Sequence, residues 1–236
     1  MQSNKINLVI PTTIINQRVI NLVKELGEKF NPEVQIWIVQ NQKQVNRSGR
    51  EKELTDLGVR VIYSKRGLGN ALCAAYKHVT SGTFVFIPDD IPFGFQEVEL
   101  ALKNKGRRNQ LIVLSKYLVK TQVNWRQVQG RAFQIIVRTL FKVPVKDTQC
   151  SFIASEDVVR LFSKECVSPR YMITLENILV AKKSNVDISE VSAHWQENLY
   201  SRKSTIKSVD KAIMILDMFK LIHHKKSIPK ITSIYH

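Results

Sequence analysis

Apolar residues follow two alternating rhythms along this chain. Short β-rich runs occupy residues 6–11, 34–40, 59–63, 83–87 and 111–114. Between them lie stretches with apolar positions three and four apart, at residues 16–30, from Gly69 onward, and at 97–103. Near-continuous apolar strands separated by amphipathic helices are βαβ grammar and predict a buried, mostly parallel sheet covered by helices. In such a fold a ligand crevice lies beyond the carboxyl ends of the strands.

The second half reads as more helical, with patterns at 126–141, 156–162 and 175–183 and then a strand at 186–193. A last pattern at 209–224 sets Asp210, Asp217, Lys220 and His224 on one stripe and Ala212, Ile215, Leu216, Phe219 and Ile222 on another, which predicts an amphipathic helix with the second stripe inward. No linker, repeat or low-complexity segment interrupts the pattern. One domain is the default for 236 residues of which 44% are hydrophobic.

Charge narrows the partners. A formal net charge of +16 calls for anions, whether nucleic acid, phosphorylated substrates or an acidic membrane face. Aromatic residues are only 8% and no RNA- or DNA-reading motif is present, which disfavours nucleic acid. Cys73, Cys150 and Cys166 form no Cys-x-x-Cys pair, and a reducing, cytoplasmic setting fits them best. No window reaches the roughly 18 apolar residues that span a bilayer, so membrane contact is expected to be peripheral. Residues 202–230 carry eight Lys/Arg against two Asp, which suits an anionic leaflet.

Four stretches carry candidate chemistry. Gly67-Leu68-Gly69-Asn70, ahead of a helix, lets backbone N–H groups approach a phosphate or ribose, although an isolated Gly-x-Gly is more often a plain turn. Asp89-Asp90 after an apolar strand suits a divalent ion, a solvated turn or a helix cap. Ser115-Lys116-Tyr117 is followed by Arg126 and Arg131 and then by Asp147-Thr148-Gln149-Cys150-Ser151-Phe152. Finally, Tyr171, Glu176 and Glu190 precede a basic stretch, 200–206, that contains Arg202, Lys203 and Ser204.

Together these stretches resemble the polyprenyl-phosphate glycosyltransferases of glycosyltransferase family 2, especially the dolichyl-phosphate mannosyltransferase type. The resemblance implies a GT-A type fold for residues 1–207, with a basic amphipathic helix and tail at 208–236. It implies an inverting transfer of sugar from a nucleotide-diphosphate donor to a polyprenyl phosphate whose oxygen is the nucleophile, a reaction that needs no strong general base. Pro11, Thr12, Gln40, Asn41, Gly67, Gly69, Asn70 and Asp89 would meet the nucleotide. Asp90, Lys116 and Arg126 would act at the reacting centre, with Asp90 on magnesium or manganese. Arg131, Gln149, Glu176, Arg202, Lys203 and Ser204 would hold the acceptor phosphate. A partner subunit or self-association is compatible with the same resemblance.

The chain departs from that pattern at its acidic positions. Ile15 stands where an acidic residue is expected, Gln40-Asn41 replace two aspartates, and Pro88 replaces the first aspartate of Asp-x-Asp. Lys116 replaces an arginine, trading a bidentate fork for a point charge. These losses leave open a second function, a non-catalytic binding or scaffolding subunit of the same fold.

Overall fold

A computed structural model describes residues 5–42, 50–90, 94–117, 125–148, 151–194 and 208–227. Their order is β1 (Ile6–Thr12), α1 (Gln17–Phe30), β2 (Val34–Asn41), α2 (Glu51–Asp56), β3 (Arg60–Ser64), α3 (Leu68–His78), β4 (Thr83–Phe86), α4 (Gln96–Asn104) and β5 (Gln110–Tyr117). Then follow α5 (Trp125–Phe141), β6 (Phe152–Ala154), α6 (Glu156–Glu165), α7 (Ile173–Lys183), β7 (Asp187–His194) and α8 (Ser208–Ser227).

The strands form one sheet in the order β3-β2-β1-β4-β6-β5-β7. All pairings are parallel except those of β6, which runs antiparallel between β4 and β5. The fold is therefore the expected mixed α/β sandwich with a mostly parallel sheet. The helices α2 and β6's reversal are additions to the sequence reading.

Alternation along each strand divides the core in two. Val9, Val39, Phe84, Phe86, Leu111 and Val113 face α3, α6 and α7, whereas Leu8, Ile10, Ile38, Val85 and Ile112 face α1 and α4. Residues one apart on a strand point to opposite faces, so both faces must be apolar for helices to cover both. At α1, Asn16 caps the helix by accepting the Val19 N–H at 3.2 Å, and Val19, Ile20, Val23, Leu26 and Phe30 form its buried stripe.

Helix α8 joins the first of these cores through Met214, Met218 and Leu221, at spacings of four and three. This corrects the expected stripe. Ile215, Leu216 and Phe219 point outward, with exposures of 46%, 60% and 54%. The methionine stripe is apolar as well as the expected one, and it fits the irregular core better.

Candidate functional site

Strand β1 sits between β2 and β4, so the chain turns away from β1 in both directions, and the crevice between the carboxyl ends of β1 and β4 is the switch point of the sheet. Thr12 ends β1 in register with Gln40 on β2, and Asn41 is the next residue. Thr12, Gln40 and Asn41 are all buried polar residues, unusual at a strand end unless something polar meets them. Pro11, half-buried, precedes Thr12 in the same strand.

Asp89 closes the crevice from the β4 side. It is 3% exposed, its Oδ2 accepts the Thr12 hydroxyl at 3.2 Å, and the same oxygen lies 3.1 Å from an Nη of Arg18. Arg18 belongs to the first turn of α1, where the helix dipole disfavours a cation, and the buried carboxylate is what offsets that. The sequence reading did not single out Arg18. A basic side chain at a helix start, beside a strand end, was the available signal.

Asp90 follows, half-buried, and its charge raises the proton affinity of Glu97 in the first turn of α4. Glu97 is fully buried. Burial first, with Asp90 adding to it, pushes its carboxyl up from 4.5 to about 7. Its Oε1 accepts the Ser151 hydroxyl at 3.1 Å, which only partly counters the shift. Glu97 too was missed, as it reads like an ordinary acidic residue at a helix start.

That bond is one of four that hold residues 146–148 and Ser151 to neighbouring elements. Glu190 of β7 accepts the backbone N–H groups of Lys146 and Asp147 at 2.9 and 3.3 Å. Thr174 of α7 donates to the Thr148 carbonyl at 2.6 Å. Helices α4 and α7 and strand β7 thus converge on the segment whose spacing was most telling in sequence.

The glycine turn has a different environment from the one expected of it. A Cβ on Gly69 would lie 1.8 Å from the Ser168 carbonyl oxygen, and one on Gly67, at φ +126°, would lie 2.2 Å from that of Pro169. The Asn70 N–H donates to the Pro169 carbonyl at 3.1 Å, while its side chain donates to the Arg66 carbonyl. Gly67, Gly69 and Asn70 therefore serve a close backbone-to-backbone contact between α3 and the 166–171 loop. Glu176 belongs to that contact as well. It is fully buried on α7 and its Oε2 accepts the N–H groups of Val167 and Ser168 at 3.1 and 2.8 Å, which braces the loop.

The remaining candidates are located by backbone only or not at all. Lys116 lies near the end of β5, and Arg126 and Arg131 lie on α5, without described side chains. Gln149, Arg202, Lys203 and Ser204 lie outside the described residues.

The divalent ion implied by the resemblance can be tested against these donors. Pro88 offers no ligand, Asp89 is engaged by Arg18 and Thr12, Glu97 is buried with its carboxyl raised to about 7, and Asp90, the expected ligand, adds a single carboxylate. Among the described residues no group of three His, Cys, Asp or Glu side chains comes together that could hold an ion. Magnesium and manganese sites are built on several oxygen ligands, and this donor set does not fit one.

Comparison with known proteins agrees on the fold. A mycobacterial protein of known crystal structure superposes on 95% of this chain and 75% of its own, with a TM-score of 0.68 and 14% identity. The 4-diphosphocytidyl-2C-methyl-D-erythritol synthase of Anaerococcus prevotii does so over 92% of this chain and 97% of its own, with a TM-score of 0.51 and 12% identity. At these identities the likeness is one of fold, a mostly parallel sheet covered by helices on both faces.

No protein-family model matches the chain. In sequence, it is 32% identical over 94 residues to the dolichyl-phosphate beta-glucosyltransferase of Dictyostelium discoideum. That match covers 39% of this chain and 28% of the length of the relative.

Proposed function

We propose that this protein is a glycosyltransferase that moves a sugar from a nucleotide diphosphate to a polyprenyl phosphate or a related acceptor phosphate, with inversion. The observation that carries the reading is the 94-residue likeness to a dolichyl-phosphate glucosyltransferase, set on a sheet whose switch-point crevice is lined by buried polar side chains. An acceptor phosphate oxygen attacks the anomeric carbon, the bond from that carbon to the donor diphosphate breaks, and the nucleotide leaves with the electron pair. The acceptor is already ionised at neutral pH, so the protein supplies position and positive charge rather than a base.

In this reading Pro11, Thr12, Gln40 and Asn41 meet the nucleotide, and Asp90 stands at the rim where the sugar sits. Lys116, Arg126 and Arg131 come from β5 and α5, with Arg202 and Lys203 beyond, to hold the two phosphate groups. The carboxylates lost at Ile15, Gln40, Asn41 and Pro88 support a second reading, a scaffold that binds a nucleotide sugar without turnover.

Peripheral membrane docking belongs to the same proposal, because a polyprenyl phosphate is a lipid. Ile135, Ile136 and Leu140 on α5 and Ile215, Leu216 and Phe219 on α8 are exposed, on a chain of net charge +16. Apolar side chains on basic helices suit an anionic interface. No helix among the described residues is long and apolar enough to cross a membrane.

The test is transfer of radiolabelled sugar from a panel of nucleotide sugars to polyprenyl phosphate. Product should form, and Arg126→Ala and Asp90→Asn should each lower turnover at least roughly tenfold, the scale of one lost charge-assisted contact. Saturable nucleotide-sugar binding without product would favour the scaffold.

A further inference from the structure

We propose that the end of the sheet opposite the crevice carries a second ligand site, a cavity that takes up a phosphoryl group on Arg60. The proposal stands apart from the donor and acceptor assigned to the crevice.

The cavity lies where β1, β2 and β3 begin and α3 ends, and its volume is about 120 Å³. One water needs roughly 10–15 Å³ on this scale, so there is room for a group of several atoms. Asn7 in its wall precedes Thr12 on the same strand β1, which puts the cavity about 16 Å from the crevice at about 3.3 Å per residue.

Its floor is built and already satisfied. Trp37 Nε1 donates to Asn7 Oδ1 at 3.0 Å, and Asn7 Nδ2 donates to the Ser81 carbonyl at 2.7 Å. Gln35 donates to the Gly58 carbonyl at 3.0 Å and accepts the Lys5 ammonium at 3.2 Å, so nothing further is asked of Lys5. Over the Trp37 ring lies the Arg60 guanidinium, 4.9 Å from the centroid. A cation–π contact consumes none of the five N–H donors, and Arg60 makes no hydrogen bond or ion pair among the described residues. The hydroxyls of Thr80 and Ser81, on the same cavity, are likewise unspent among the described residues, as is Nε2 of His78, whose Nδ1 is on the Ala74 carbonyl at 2.8 Å.

Charge points to an anion. Lys5, Arg60 and His78 line the cavity, and among the described residues no Asp or Glu does. Glu156 approaches the adjoining turn, where its Oε2 accepts the Gly82 N–H at 2.9 Å, and it is paired with Arg160. The carboxyl end of α3 by itself attracts cations, which accounts for Lys77 and His78 in its last turn. It does not account for Arg60, which arrives from β3 and rests on an aromatic ring instead of an acid. A guanidinium fork held over a ring, with two hydroxyls on the same cavity, suits the oxygens of a phosphoryl group.

Titration of the isotope-labelled full chain with inorganic phosphate, against chloride at the same ionic strength and pH, reads the site through the Trp37 indole N–H resonance, identified by its loss in Trp37→Phe. Phosphate should shift that resonance saturably and chloride should not. Arg60→Gln should weaken the response roughly tenfold or more, the scale of lost charge-assisted hydrogen bonds, with a nearly unchanged urea-denaturation midpoint. Arg60→Lys, a point charge in place of a fork, should fall between. A second variant, Thr80→Val/Ser81→Ala, leaves Arg60 and Trp37 in place and should weaken phosphate severalfold.

Sedimentation with vesicles containing phosphatidic acid separates the sources of the group. Binding lost in Arg60→Gln assigns it to a lipid headgroup, and sedimentation indifferent to Arg60 assigns it to a soluble phosphate. A Trp37 resonance that phosphate does not shift saturably, that chloride shifts equally, or whose response Arg60→Gln leaves undiminished overturns the site.

Discussion

Replacing Glu97 by glutamine should make the protein more stable above neutral pH and leave it nearly unchanged in mild acid. Glu97 is fully buried on α4, and its carboxyl is pushed from 4.5 to about 7 chiefly by that burial. The folded state therefore holds a proton that the unfolded chain has already released. Stability from this group is fully present below about pH 4.5, falls as the pH rises to about 7, and changes no further above that. The difference corresponds to about 3 kcal/mol, at about 1.4 kcal/mol for each tenfold change in proton affinity. Glutamine keeps the acceptor for Ser151, copies the shape of the protonated acid and cannot ionise. Urea denaturation followed by tryptophan fluorescence, on both proteins at pH 5 and pH 8, isolates the effect as a difference of differences. The variant should gain about 2.5 kcal/mol on the wild type between the two pH values, or roughly 5–10 °C in Tm. Parallel stability curves would show that Glu97 is solvated or differently paired, and would refute the reasoning.

Other perturbations separate packing from binding. Gly69→Ala should lower stability by more than about 3 kcal/mol in thermal denaturation, because its Cβ would meet a backbone carbonyl, which cannot rotate aside. Leu221→Ala should cost about 2–5 kcal/mol by emptying core volume under α8. Phe219→Ser on the outer stripe should cost less than about 0.5 kcal/mol yet reduce sedimentation with vesicles containing anionic lipid, and unchanged vesicle binding would argue against docking through α8. Glu176→Ala should destabilise the protein by about 2 kcal/mol or more through the unbraced 166–171 loop, and a stable variant defective only in acceptor binding would return Glu176 to the acceptor phosphate.

The parallel strands were legible because each must be apolar on both faces, and runs such as those in β1 and β4 have no other soluble explanation. β6 was not, since three residues contain no period to read, and its antiparallel pairing is set by neighbours distant in sequence. In α8, apolar side chains on two stripes gave the wrong inner face, and only the shape of the core chose the methionines. At the crevice, the family resemblance pointed to Asp89 and Thr12, which do meet. It was silent on Arg18 and Glu97, whose importance comes from burial and from partners on other elements. The glycine turn shows the converse. Its residue types were read correctly as demanding close approach, but what approaches is the Ser168–Pro169 backbone.

The place of β6 also bears on how the protein is made. Strand β5 is flanked by β6 and β7, both synthesised after it, so its apolar 111–114 run stays open on both sides until residue 154 has left the ribosome and on one side until residue 194 has. An unpaired apolar strand is a template for aggregation. Once complete, the sheet ends at β3, which carries Arg60, and at β7, which carries Asp187 and Glu190. Charged side chains interrupt the apolar character of both outer strands, whereas the apolar run of β5 is open only while the chain is being made.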